Sequence, residues 1–212
     1  ASNKKSANSG GSFGIGKAAY FAMSPLRSII VSTMTQEGVH TFQGVSMLCT
    51  HTVNDVLRTP IGFYSTNNEN PVVDVDEIPY QFKRTEPGTS INIMGVQITS
   101  QDDKADIYKE IKIAVLRNFW LAIYNDRLDV VVGDETIDSS NIIQLVEQYF
   151  PELSDNRRKG NVNPRPYLEL VANAKRDDKR YMLIESNLPH LGDVKLYIHR
   201  HPEGRGTIQY FR

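Results

Sequence analysis

The sequence predicts an α+β fold, and three observations predict it. Apolar residues recur at helical spacing through residues 102–124. Residues 27–33 and 39–49 are β-branched or apolar runs on either side of a Gln36-Glu37-Gly38 turn, the pattern of a hairpin. Residues 167–211 break into four short strand-like runs, the last three separated by Pro- and Gly-containing turns.

The elements follow in order. Residues 17–24 read as a short helix stopped by Pro25. The hairpin of 27–33 and 39–49 comes next. In residues 86–93, Gly88-Thr89 opens a run with period-2 apolar residues, a strand pattern. The long helix of 102–124 places Ile107, Ile111, Val115, Phe119 and Ile123 at four-residue intervals, with Phe119 and Trp120 expected in the core. Residues 128–132 are a strand. Asp138, Ser139, Ser140 and Asn141 are N-cap residue types ahead of a helix over 142–150, which ends before Pro151. Residues 155–166 are polar, basic and rich in breakers, and read as an exposed loop or linker. The last four runs, 167–172, 180–185, 193–199 and 207–211, read as strands, with turns at 187–192 and 201–206.

A chain of 212 residues can bury a sizeable core in one or two domains. A net charge of −1 gives no global pull toward a polyanion. The single cysteine, Cys49, excludes an intramolecular disulfide and fits a reducing, cytoplasmic setting. Its place in an apolar run predicts a buried structural thiol. No apolar run approaches the roughly 20 residues that span a bilayer, so no membrane partner is expected.

The richest chemistry lies at 10–20, Gly-Gly-Ser-Phe-Gly-Ile-Gly-Lys-Ala-Ala-Tyr. Glycines let a backbone turn its N–H groups inward. A helix N-terminus adds partial positive charge, and Lys17 adds a full one. These are parts for holding phosphate. Gly11, Gly16 and Lys17 have P-loop spacing, but Ala18 stands where the magnesium-binding hydroxyl belongs. Gly14, Gly16 and Ala19 meet the dinucleotide fingerprint. Both motifs follow a buried strand, and residues 1–9 are too polar to form one. A glycine-rich turn capping an ordinary helix is the structural alternative.

Residues 11–16, Gly-Ser-Phe-Gly-Ile-Gly, follow a polar segment and lead into a helix and then a strand. This pattern resembles the glycine lid of the GHKL ATPases: gyrase B, the ninety-kilodalton heat-shock chaperone, histidine kinases and MutL. The chaperone-type version is the most similar. Downstream, residues 86–93 resemble the family's G-T-x-[IV] box, and a long helix and a strand follow it as they do in the family. The agreement in order covers residues 10–135. The resemblance implies part of an α/β sandwich, a mixed sheet with helices on one face, over 1–138. A helix and linker at 139–165 and a smaller β-rich, transducer-like unit at 166–212 would follow.

The resemblance also implies a function. ATP and Mg²⁺ would be the ligands of the intact protein. Gly11, Ser12, Phe13, Gly14, Ile15, Gly16 and Lys17 would close over the phosphates, and Thr89 would lie near the adenine. Closure would drive a conformational switch or homodimerisation, with a protein client or DNA as partner. A histidine kinase fits less well, because those proteins lack a transducer after the ATP domain. The family's catalytic Glu and magnesium-binding Asn sit on a helix before the lid, and its adenine-binding Asp sits in D-x-G-x-G. Neither motif precedes the lid here, and D-x-G-x-G occurs nowhere in the chain. With Ala1 at the start, the chain reads as a fragment that binds ATP poorly and does not hydrolyse it, with no catalytic residue of its own.

Other residues carry weaker signals. His199 and His201, with His190 nearby, suggest a metal site only if a third ligand joins them, so no metal residue is assigned. Arg157-Arg158-Lys159 reads as a solvated loop, with nucleic-acid contact as its alternative. Residues 74–77, Asp-Val-Asp-Glu, lack calcium-loop spacing and read as an exposed acidic loop. Ser24 and Ser46 have no His–Asp arrangement beside them. Two other readings remain for the whole chain: a non-enzymatic interaction module, and a nucleic-acid-binding β domain using Arg157 to Arg165.

Overall fold

The structure, a computed structural model, describes residues 16–66, 69–151, 162–174, 179–190 and 192–200. It combines helices with small antiparallel sheets, as an α+β fold does. Two compact units divide between Ile98 and Thr99.

In the first unit, α1 (Gly16–Met23) ends ahead of Pro25. The buried Ser24 hydroxyl ties that end to two neighbours. It donates to the Met94 carbonyl at 2.6 Å and accepts from the Ser28 amide at 3.0 Å. Strands β1 (Ser28–Met34) and β2 (His40–Met47) form the expected hairpin. Gly38 closes its turn at φ +80°, and its amide donates to the Thr35 carbonyl at 3.1 Å.

Residues 50–64, which gave no element in the sequence, hold three strands. β3 (His51–Val53) and β4 (Val56–Arg58) are joined by Asn54 and Asp55, at φ 50° and 60°. Two successive positive φ values are what a two-residue hairpin turn of type I′ requires, and Asn and Asp tolerate them. β5 (Ile61–Tyr64) then returns along β2. β6 (Gly88–Ile93) pairs with the other side of β1, so the sheet order is β5-β2-β1-β6. Every pairing in it is antiparallel. A mixed sheet was expected; β6 is instead antiparallel because it begins opposite the end of β1, Gly88 facing Met34.

Strand alternation divides the side chains of this sheet between two faces. Ile30, Ser32, Phe42, Ser90 and Asn92 share one face by register, and Thr33, Ile91 and Thr89 share the other. On the first face Phe42, Val72 and Ile78 are buried together, with Ile30 and Phe82 packed against them. Phe42 meets Tyr64 edge-on at 5.6 Å between ring centroids.

In the second unit, α2 (Gln101–Tyr124) starts with a complete capping box. The Ser100 hydroxyl accepts from the Asp103 amide at 3.0 Å, and the Asp103 carboxylate accepts from the Ser100 amide at 3.1 Å. The helix buries Val115, Leu116, Trp120 and Ile123. This corrects the expected stripe: Ile111 is 39% and Phe119 51% exposed. Four residues overshoot one turn by about 40°, so five positions at strict four-residue spacing sweep about 160° around the helix. Only mixed three- and four-residue steps stay on one side.

β7 (Val130–Val132) and β8 (Glu135–Ile137) form a short hairpin after α2. Its Gly133, at φ +64°, lies where a Cβ would be 2.6 Å from the Tyr108 ring. α3 (Ile142–Tyr149) follows and buries Ile142, Leu145 and Val146 against the same core.

Residues 167–172, expected as a strand, belong to a helix, α4 (Arg165–Asn173). Pro164 is its N-cap, and Pro166 sets φ within its first turn. Arg165 pairs with Glu169 at 2.9 Å across one turn, and Leu168 and Val171 are buried three residues apart. The apolar run fits both periods, and helical burial decides it. β9 (Tyr181–Leu188) and β10 (Gly192–His199) pair as a hairpin where strands 180–185 and 193–199 were expected, with β9 running on to Leu188 and β10 taking in Gly192, both inside the expected 187–192 turn. The expected strand 207–211 lies outside the described residues.

Candidate functional site

Of the residues predicted to hold nucleotide, Gly11, Ser12, Phe13, Gly14 and Ile15 lie outside the described residues. Gly16 and Lys17 open α1, which packs beside β1 and β6. Gly16 is exposed, with open space where a Cβ would stand. Thr89 is the second residue of β6 and stands opposite Thr33 of β1. Their hydroxyls are 3.1 Å apart, in an exposed contact. The structure thus sets the glycine-threonine strand directly against the strand that leaves the glycine-led helix.

What delivers Thr89 to that position is a turn held by Arg84, a residue the sequence reading passed over. The Arg84 guanidinium donates to three groups around the turn. Nε reaches the Glu86 carbonyl at 3.1 Å and Nη2 the Pro87 carbonyl at 3.5 Å, while Nη1 bonds the Ser90 hydroxyl. Gly88 sits inside this clasp at φ +140°, where any L side chain is strained. The only sequence signal for it was an arginine shortly before a Glu-Pro-Gly turn.

Beside the clasp is an open, polar hollow of about 220 Å³. Arg84, Lys83, Thr85, Ser90 and Asn92 contribute to its lining. Across the strands from Ser90 stands Ser32, 3% exposed, whose buried hydroxyl has no hydrogen-bond partner among the described residues.

Among the described residues the remaining candidates make local structural contacts, and His201 lies outside them. Cys49 is exposed, not buried: β2 ends at Met47, and Cys49 lies in the bend before β3. Its carbonyl accepts from His51 Nδ1 at 2.9 Å. His199 stacks on Tyr181 at 4.6 Å. Among the described residues no group of three His, Cys, Asp or Glu is placed to hold a metal. Asp74 and Asp76 are exposed, with the Asp74 carboxylate capping the Asp76 amide at 3.0 Å. Arg157, Arg158 and Lys159 lie outside the described residues.

Perturbed ionisable groups also mark structure. The Thr99 and Ser100 hydroxyls hold the Asp103 carboxyl below its ordinary value. The Ser140 hydroxyl does the same for Asp138. Lys112 is raised, chiefly by its bond to Glu135, which joins α2 to β8. Lys195 is raised by Glu185 across the β9–β10 hairpin. No described helix is long and apolar enough to cross a membrane. Comparison of the chain with family models, curated proteins and solved structures returned no match.

Proposed function

We propose that this chain carries the lid helix, hairpin, glycine-threonine strand and long helix of a GHKL-type ATP-binding site. The catalytic Glu, magnesium-binding Asn and adenine-binding Asp of that site would come from polypeptide outside these 212 residues. One observation carries the reading: the β1–β6 adjacency. It sets Thr89, from the glycine-threonine box, beside Thr33 on the strand that leaves the glycine-led helix. The order of elements through α2 and β7 agrees with it.

In this reading ATP with Mg²⁺ enters from the exposed side of β6. Residues 11–17 fold over the phosphates, and Thr89 lies near the adenine. Closure of that segment switches the conformation or the dimeric state of the intact protein. The chain alone lacks the metal-holding and general-base groups, so phosphate charge goes unneutralised and water unactivated. It binds Mg-ATP weakly and does not turn it over.

The test is calorimetric titration of Mg-ATP into this chain, and into the protein extended by about 150 residues upstream, a typical domain length. Binding by the extended protein alone supports the reading. Tight binding and magnesium-dependent turnover by the 212-residue chain, abolished by Lys17→Ala, would overturn it in favour of a self-sufficient glycine loop. Silence from both favours an interaction module. The β3–β4 hairpin suits such a module, since it leaves Val53, Val56 and Leu57 exposed.

A further inference from the structure

The hollow beside Arg84 lies on the opposite face of the sheet from Thr89. Ser90 and Asn92 line it, and alternation along β6 turns them away from Thr89 and Ile91. Whatever the hollow takes is therefore independent of the nucleotide reading.

Its size limits the ligand. About 220 Å³ is room for roughly seven waters at ~30 Å³ each. That is below the ~300–1,000 Å³ of pockets that enclose a drug-sized molecule. A single phosphate or carboxylate group with little attached fits within it.

Its chemistry selects the sign of charge. A guanidinium offers five N–H donors. Arg84 commits three of them, to Glu86, Pro87 and Ser90, and so leaves one on each Nη. Lys83, Gln81 and Asn92 also line it, bringing a second cationic residue and two amide residues. Glu86 is the one carboxylate in the lining, so Lys83 and Arg84 leave it one unit positive. The three tethers also fix the guanidinium beforehand, which lowers the entropy lost when it engages a ligand.

We propose that this hollow is an anion-binding site for one small oxyanion group, a phosphate or a carboxylate. Arg84 is its pre-set fork, and Lys83 is a second cation that closes on the bound group. Planar forks match both oxyanions through paired N–H···O bonds.

The test uses the ¹⁵N-labelled 212-residue chain. It is titrated with inorganic phosphate and separately with acetate at constant ionic strength. The Arg84 Nε–H signal and the amides of Ser90 and Asn92 are followed. Saturable shifts at these groups are expected, and the arm that saturates at lower concentration names the preferred oxyanion. Lys83→Ser, which leaves all three tethers in place, should weaken binding about fivefold. Arg84→Lys should abolish it, because an ammonium cannot supply the fork. If Arg84→Lys does not fold, the wild type and Lys83→Ser still decide. No saturable shift with either anion overturns the proposal, as do shifts equal in the wild type and Lys83→Ser.

Discussion

Arg84 and Gly88 are fitted to each other: a Cβ on Gly88 would stand 2.8 Å from Arg84 Nη2. The guanidinium fills the space a side chain would take and ties down the two consecutive carbonyls before it, those of Glu86 and Pro87. Gly88→Ala would meet both that contact and strain at φ +140°. It should cost about 1–3 kcal/mol, read as a lower urea midpoint. Combined with Arg84→Ala, the loss should fall short of the sum, because the second change removes the clash while the φ strain remains.

Gly44 makes a similar demand inside the sheet. A Cβ there would lie 2.9 Å from Tyr64 Cβ, an atom the backbone holds in place. Gly→Ala in extended backbone ordinarily stabilises slightly by restricting the unfolded chain. Here Gly44→Ala should destabilise by about 1–3 kcal/mol as β5 is pushed from β2. Near-ultraviolet circular dichroism should report the disturbed Phe42–Tyr64 contact. A neutral or stabilising result would contradict this packing.

The buried side of α2 can be mapped by paired truncations. Leu116 is fully buried, so Leu116→Ala should cost about 2–5 kcal/mol. Phe119, half exposed on another side, should lose much less on truncation to Ala, about 0.5 kcal/mol. If Phe119→Ala is the costlier change in chemical denaturation, the helix is rotated from the position described.

The capping box of α2 gives a pH-dependent expectation. Ser100→Ala should cost about 1 kcal/mol through loss of the bond to the Asp103 amide. The Asp103 carboxyl sits below its ordinary 3.8 in the folded chain. Its contribution is therefore fully present above that value and is lost as pH falls through the lower, folded one. The denaturation midpoints of wild type and Asp103→Asn should differ at neutral pH and converge in strong acid.

Much of the fold was legible because local rules agree with the final packing. The β1–β2 hairpin, the strand at Gly88, the long helix and α3 each carry periodicity, a turn or a cap in the residues themselves. The β3–β4 hairpin was not predicted, although Asn54-Asp55 between apolar runs is a turn signal in the residues themselves. Residues 167–172 were not legible. Tyr-Leu-Glu-Leu-Val-Ala satisfies strand and helix patterns alike, and only burial of Leu168 and Val171 against the second unit's core selects the helix. Of the candidate site, the strand position of Thr89 was legible from its Gly-Thr setting. Arg84 was not, because its role depends on the space left by Gly88 and on a hydroxyl six residues along.

The sequence by itself determined the α+β class, most element positions and the Gly38 turn, because backbone restriction and hydrophobic period act over a few residues. Only the tertiary structure decided which side of α2 is buried, that β6 pairs with β1, and that Arg84 clasps the turn before Thr89. Those outcomes depend on residues distant in the chain competing for the same buried space. No local pattern encodes that competition.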